Sequence, residues 1–514
     1  MNSFIEDTFE QNPRPDDSDL DENELWVVAK AFFEENGFAQ HQLSSFDEFI
    51  EEGVHQVIRN SKIICTEAKA TEEIQKLKKS KMTKEEFVDN HPYLYLKEGV
   101  IMKKYTVEFG DLIIEAPSHV EINGESRKIT PFECRGRNIT YQSQIFINIE
   151  TTDFRGHTNI YERVPLGSIP VMVGSILCNL REIWNDKEKL AQLRENFYDP
   201  GGYFIIKGGC KVIASQERTA QNQAYVFKNR KKKPRYLFYT EVRSCAVNGT
   251  HSTTTQVGIL KDNLISVTIP YIDSTAIPLG VLFRALGVVE GAREMVSYIL
   301  PDFTDREALQ ILAKTFEYSL ECKTQNQAFH FIGKKGKKFS KPRKDSDENI
   351  GSIRKNAISY AKHLIFTEFL PHLGTNEDAL VKKRFYIGHM VQKLLWVILK
   401  RSPIQDRDHF ANKRVATAGI LMYQQFSNAF RRLRNEISAA IERATQKGTF
   451  VKVTSHISPK TITNALCGAL SDNSWGVRGK NQGVSQKYEH FNYIDALASL
   501  RKLVTPINQD GGKI

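Results

Sequence analysis

The sequence predicts an α+β, multidomain chain in which mixed sheets alternate with helical segments. Three observations lead there. The 514 residues exceed what one core organises, at roughly 100–200 residues per domain. Apolar residues recur at helical spacing in some stretches and alternate with polar ones in others. Glycine and proline cut the alternating stretches into short runs. With 40% hydrophobic and 26% charged residues, the composition is that of a globular protein rather than a disordered one. No apolar run approaches the roughly 20 residues of a bilayer span, and the N-terminus MNSFIEDTFEQNPRPDDSDLDENE is acidic, unlike a secretory signal. A soluble, intracellular chain is expected.

Taken in order, residues 1–24 read as an acidic, disordered tail. The spacing in LWVVAKAFFEENGFAQHQLSSFDEFIEEGVHQVI predicts two helices joined near Gly37, with Ser44 or Ser45 as an N-cap and Asp47 and Glu48 in the first turn. From Tyr95 to Ile149, β-branched residues alternate in runs such as YTVEFGDLIIEAP and SQIFINIETT, which predicts sheet. PLGSIPVMVGS (165–175) reads as extended and residues 182–196 as helical. DPGGYFIIKGGCKVIASQE (199–217) reads as turn, strand, turn and strand, its paired glycines marking positive φ. Strands are expected again over 226–268 and helices over 279–322. A lysine-rich loop near 334–344 then precedes a helical region running to about Ala444. There is no internal repeat and no long Pro/Ser-rich linker, so the domains are expected to pack together.

Seven cysteines at positions 65, 134, 178, 210, 245, 322 and 467 lie far apart, with no CxxC pair. That pattern argues for reduced thiols and against a zinc site. The net charge of +10 is unevenly placed: KNRKKKPR (228–235) and GKKGKKFSKPRK (333–344) are strongly basic. Such runs suit a phosphate backbone, a solvated loop or a nuclear-localisation signal.

DRDHFANKR (406–414) is the densest cluster of catalysis-capable side chains. Asp406, Asp408 and His409 are hard-ion ligand types, but i and i+2 do not share a helix face. An N-cap role for Asp406 or Asp408, at the start of a helix through VATAGILMYQQF, is the better reading. GGYFIIKGG lacks the P-loop pattern, and no GxSxG, HExxH or Walker lysine is present. Near the C-terminus, KTITNALCGALSDNSWGVRGKNQGVSQKYEHFNYIDALASLRKL combines a small-residue helix, a Gly-rich basic loop with Arg478 and Lys480, and a second helix ending in Arg501 and Lys502. Such a loop serves equally as a phosphate contact or as ordinary surface.

Taken together, QHQLSSFDEFI, CRGRNITYQSQIFINI, PLGSIPVMVGS, DPGGYFIIKGGCKVIASQE, IPLGVLFRALGV, EFLPHLG, DRDHFANKR, KTITNALCGALSDNSWG and QGVSQ resemble, in the same order, the second-largest, β-type subunit of multisubunit DNA-directed RNA polymerases. The likeness is closest to the eukaryotic, archaeal or large-DNA-virus style. One departure is Ala411, where the family usually has glycine; another is a short loop at 477–482.

The resemblance implies the N-terminal half of that subunit: protrusion over 25–210 and 371–434, lobe over 211–370, and the beginning of the fork over 435–514. Protrusion and lobe would form one wall of the DNA cleft, and the fork would meet the RNA:DNA hybrid and the downstream fork. It places Gln486, Arg501 and Lys502 beside the hybrid, with Arg478 and Lys480 in a strand-separating loop. Lys413 and Arg414 are further candidates for nucleic-acid contact. The family's Mg2+ is held mainly by the largest subunit, and its zinc site lies beyond this chain, so no catalytic or metal residue is expected here. The chain alone is not expected to polymerise, and it reads as a truncated or split subunit. Implied partners are the largest subunit, the remaining half of the β-type subunit, smaller subunits, DNA template and hybrid, with no membrane. The expected place is the nucleus, a viral factory or virion, or the archaeal cytoplasm. The alternative is a stand-alone nucleic-acid-binding or assembly protein derived from the same fold.

Overall fold

The computed structural model describes residues 21–69, 91, 94–97, 100–121, 123–153, 156–229, 235–246, 252–272, 276–288, 291–301, 303–317, 322–336, 350–447, 452–476 and 483–505. They divide into two compact units. The first comprises 21–216 with 416–504, and the second comprises 217–415 with Thr505.

The first unit opens with the helix Glu22–Asn36, begun by an Asp21/Glu24 capping box and stopped at Gly37, whose φ of 69° suits glycine. The helix therefore starts inside the segment expected to be tail, while residues 1–20 lie outside the described residues. The next helix begins at Gln40 and runs through a π-turn at Phe49–Gly53 to Arg59. Ser44 and Ser45 are thus interior positions and not the expected N-cap.

An antiparallel sheet follows, in the order Ile63–Lys69, Val100–Ile114, Gln142–Thr152, Thr158–Pro170, with Leu94–Lys97 also on the second strand. Along Gln142–Thr152 alternate residues are buried, so Ile145, Ile147 and Ile149 share one face. That face meets the 30-residue helix Ala418–Lys447, where Phe430 lies edge-on to Phe109 at 5.2 Å. Most of the expected 182–196 helix is absent. A 3-10 turn at Arg181–Ile183 and the short helix Lys187–Gln192 stand in its place, because Asp186 caps the second by accepting the Lys189 amide.

The DPGG stretch forms the strands Phe204–Ile206 and Gly209–Ile213, joined at Lys207–Gly208 with φ of 49° and 78°. Gly201, Gly202 and Gly208 take the positive φ expected of them, whereas Gly209 does not. Ser485–Lys487 completes this small sheet on the outer side of Gly209–Ile213.

The second unit carries a five-stranded antiparallel meander: Ala224–Lys228, Phe238–Cys245, Ser252–Ile259, Ile265–Thr268 and Ile277–Pro278. The helix Ala379–Ile398 packs on it, and the Thr240 hydroxyl donates to the Met390 carbonyl at 3.0 Å. Lys383 of that helix is fully buried, its ammonium donating to the carbonyls of Ile365 and Phe366 at 2.8 and 2.9 Å. These acceptors sit in the last turn of the preceding helical segment, where carbonyls lack intrahelical partners. Nearby, His372 Nδ1 lies 2.7 Å from Ser244 Oγ. Burial and then the Lys383 charge hold the imidazole down to about 4.

Helix crossings set two stability expectations. A Cβ on Gly419 would stand 1.7 Å from the Ser45 carbonyl oxygen, so Gly419→Ala is expected to cost about 3 kcal/mol in urea unfolding. Gly468→Ala, in the helix Pro459–Ser471 with nothing within 4 Å of the added atom, is expected to be neutral or to stabilise by up to ~1 kcal/mol. Equal losses would contradict the crossing. For His372, the unfolded imidazole takes its proton near 6.5 and the folded one only near about 4. Above 6.5 the two states do not differ. As pH falls through that window the second unit should lose on the order of 3 kcal/mol, a slope that His372→Gln abolishes in unfolding titrations across pH 4–7.

Candidate nucleic-acid interface

The helix Tyr493–Arg501 begins at Asn492, whose side chain accepts the Asp495 amide at 2.8 Å. Leu500 on its inner face is fully buried, in a core with Ala39, Tyr203, Val212 and Tyr488. Arg501 and Lys502 follow and are exposed. The Arg501 guanidinium donates to the Phe38 carbonyl at 3.3 Å and stands 5.8 Å over the Phe33 ring. Lys502 forms no ion pair among the described residues, and its carbonyl accepts the Ser215 amide at 3.1 Å. Beyond it, Leu503–Val504 pairs in parallel with Ser215 and Gln216. The two cations thus project from a main chain held at the Lys502 carbonyl and along Leu503–Val504.

What fixes it is Gln42, fully buried in the helix Gln40–Glu48. Its Nε2 donates to the carbonyls of Ile213 at 3.1 Å and Leu500 at 3.2 Å, and its Oε1 accepts the Ala418 amide at 3.2 Å. Ala418 opens one helix and Leu500 lies in the last turn of another, so a single amide serves groups that helix ends leave without partners. Three residues on, Ser45 Oγ accepts the Gly419 amide at 3.0 Å and lies 2.5 Å from Thr417 Oγ1. His41 Nε2 lies 3.2 Å from the Leu500 carbonyl. Burial, with the Arg501 charge beside it, holds that imidazole below its ordinary range, and the bond to Leu500 opposes the shift.

Gln486 lies on Ser485–Lys487 opposite Val212, its amide donating to the Gly483 carbonyl at 3.2 Å. Arg501 and Lys502 are adjacent; Gln486 belongs to the same unit through a different sheet. Arg478 and Lys480 lie outside the described residues, as do most of the 228–235 and 333–344 basic runs.

DRDHFANKR takes a structural form different from the one expected. Neither aspartate caps a helix: residues 410–412 form a 3-10 turn, Lys413–Ala416 is a strand, and the long helix starts only at Ala418. Asp406 Oδ1 accepts the Asp408 amide at 3.0 Å, and Asn412 donates to the Asp406 carbonyl at 2.7 Å. Arg407 lies 4.1 Å over the Phe227 ring and donates to the Tyr239 hydroxyl at 3.2 Å. The Lys413 ammonium is engaged by Glu217, which raises its pKa, and sits 3.8 Å from Asp408. The Arg414 guanidinium is exposed and donates to the carbonyls of Ala411 and Lys413. Among the described residues, no three His, Cys, Asp or Glu side chains assemble into a group able to hold a metal ion, and no helix is long and apolar enough to cross a membrane.

The family model described as RNA polymerase beta subunit matches residues 37–464. The chain belongs to this family. Its relatives include DNA-directed RNA polymerase II subunit 2 of Arabidopsis thaliana, 31% identical over 96% of this chain and 40% of its own length. DNA-directed RNA polymerase II subunit RPB2 of Encephalitozoon cuniculi is 32% identical over 95% and 40%. The archaeal DNA-directed RNA polymerase subunit Rpo2 of Sulfolobus acidocaldarius is 29% identical over 95% and 38%. The chain therefore spans about 40% of the length of such relatives. Sequence reasoning missed His41 and Gln42 as side chains that position this segment, and it gave Ser45 only as the N-cap of its own helix. The helix QHQLSSFDE is mostly polar, so its pattern did not set these side chains apart from solvent-facing ones.

Replacing Gln42 by Leu strands the Ala418 amide and relieves two carbonyls of their donor. A loss of about 3 kcal/mol in urea unfolding is expected, and a change below about 0.5 kcal/mol would contradict the arrangement.

Proposed function

We propose that the chain serves as the N-terminal part of the second-largest subunit of a multisubunit DNA-directed RNA polymerase. The observation that carries this reading is the family match, which runs through both compact units and includes the DPGG and DRDHFANKR stretches. We assign the protrusion to the first unit up to residue 434 and the lobe to the second, whose 217–415 span is wider than the 211–370 read from sequence, with the fork over 435–514. Each contributes surface to the wall of the DNA cleft. Arg501 and Lys502 pair with phosphates of the RNA:DNA hybrid, Gln486 offers its amide to sugar or base edges, and Arg478 and Lys480 meet the downstream fork.

The chemistry of these residues is positional. Cations on a fixed main chain hold a phosphate backbone without forming or breaking bonds, and they release counterions when they do so. Nucleotidyl transfer belongs to the assembled enzyme. The Mg2+ it uses is assigned to the largest subunit, as the family resemblance implies. Partners are the largest subunit, the rest of the β-type subunit and the smaller subunits. The place of action is the nucleus, a viral factory or virion, or the archaeal cytoplasm.

Purification of the tagged chain from its own cells or virions should bring down the largest subunit together with nucleotide-incorporating activity. A monomer that binds DNA without them would contradict the reading and favour a stand-alone binding protein. In the assembled enzyme, Arg501→Ala or Lys502→Ala should hasten dissociation of elongation complexes and lower the slope of log stability against log salt by about 0.7–0.9 for each phosphate left unpaired. An unchanged slope in both variants would exclude phosphate pairing.

A further inference from the structure

Three rings form a column just beyond the strand that carries Gln486. Tyr203 and Tyr488, 1% and 5% exposed, stack with centroids 4.5 Å apart and planes inclined by 14°. His490 stacks on Tyr488 at 5.2 Å and 18°. Two rings do not fit on one face of Tyr488 at those spacings, so His490 takes the face that Tyr203 leaves. Among the described residues no fourth ring continues the column, and His490 at its outer end is exposed.

The column is anchored at its inner end. The Tyr203 hydroxyl donates to Asp199 Oδ2 at 2.5 Å and accepts from Arg135 Nη1 at 2.9 Å, and Arg135 is paired with the buried Glu195 at 2.6 Å. The main chain leading outward is held as well. The Tyr488 amide donates to the Cys210 carbonyl at 3.0 Å, continuing the ladder of Ser485–Lys487, and Ser499 Oγ donates to the Glu489 carbonyl at 3.4 Å. Asn492, two residues past the imidazole, caps the helix Tyr493–Arg501. The exposed ring therefore stands on a support fixed from below and from both sides in sequence.

We propose that the outer face of His490 receives an unpaired nucleobase as the fourth member of the column. The inference rests on the polymerase reading above and deepens it by naming a base, beside the phosphates, that the fork segment takes. Every base presents a flat π-face whatever its identity, and aromatic rings combined with cations are how proteins hold single strands. The cations are supplied by the same unit, at Arg501 and Lys502 on the end of the helix that Asn492 opens, which selects a ligand that carries phosphate. Alternation along the extended segment puts Gln486, Tyr488 and His490 on one side and Glu489 on the other, so that carboxylate is turned away from the base. Gln486, given above to sugar or base edges, lies on the same side as the ring. A ring ordered in advance loses little freedom when a base settles on it.

The test uses the assembled enzyme on scaffolds that carry an abasic site at one unpaired position at a time, in the template strand, the displaced strand and the transcript. The half-life of the elongation complex is measured for wild type, His490→Ala and His490→Phe. His490→Ala should shorten it about tenfold, the loss of one base stacked on an aromatic ring, whereas His490→Phe, which keeps a ring, should stay within about threefold of wild type. At one position the abasic site should shorten the wild-type half-life by about the same tenfold factor and that of His490→Ala no further, because both changes remove one contact. The strand that carries this position identifies the source of the base.

A wild-type half-life in His490→Ala overturns the inference while leaving the polymerase reading intact. So does a His490→Phe enzyme as short-lived as His490→Ala, or losses that multiply at every abasic position. A His490→Ala chain that no longer brings down the largest subunit overturns it in favour of a protein contact at this ring. Failure of the wild-type chain to assemble with nucleotide-incorporating activity overturns both.

Discussion

The Gln42 side chain sits where a helix start, a helix end and a strand end converge, fully shielded from solvent. In such an environment an unmatched amide or carbonyl costs more than a typical matched pair contributes. One side-chain amide meets the Ala418 N–H and the carbonyls of Ile213 and Leu500 simultaneously. Two neighbouring features of the first unit answer that demand. Gly419 is glycine because the helix that Gln42 and Ser45 receive comes so close that a methyl group would overlap the Ser45 carbonyl. Leu500 is buried because the helix end must reach the amide.

The same constraint explains why chemistry-bearing side chains stand where they do. A flexible cation gives up side-chain entropy each time it meets a phosphate, so a fixed main chain beneath it improves the pairing. At residues 500–502 the carbonyls of Leu500 and Lys502 are both held, by Gln42 with His41 and by the Ser215 amide. The cluster at 406–414 shows the opposite use of charge. Its Arg407 is laid on Phe227 and its Lys413 faces Glu217, so both cations are turned to holding the 217–415 unit together. Only Arg414 keeps an exposed guanidinium there.

Much of the element order was legible because its signals are local. Alternation along 142–152, positive-φ glycines at 201, 202 and 208, and a helix break at Gly37 follow from side-chain period and backbone sterics. What stayed hidden was non-local. Ser45 looks like a cap from sequence and does serve a helix N-terminus, but that of a helix 374 residues away. The aspartates at 406 and 408 precede an apolar run, yet a turn and a strand intervene before Ala418, because Asn412 folds back on the Asp406 carbonyl. The candidate site residues came from family resemblance; periodicity alone gave Arg501 and Lys502 only as the basic end of a helix. Gln42 carried no compositional signal at all, because its helix QHQLSSFDE is mostly polar.

The claim on which this account turns is that the Gln42 amide couples three distant segments and thereby fixes the main chain under Arg501 and Lys502. Amide hydrogen exchange in the wild-type chain and in Gln42→Leu addresses it directly. Peptides covering 209–216, 416–422 and 496–504 should lose protection together in the variant, while peptides covering 142–152 keep theirs. Loss confined to one of the three, or an equal loss everywhere including 142–152, would contradict it.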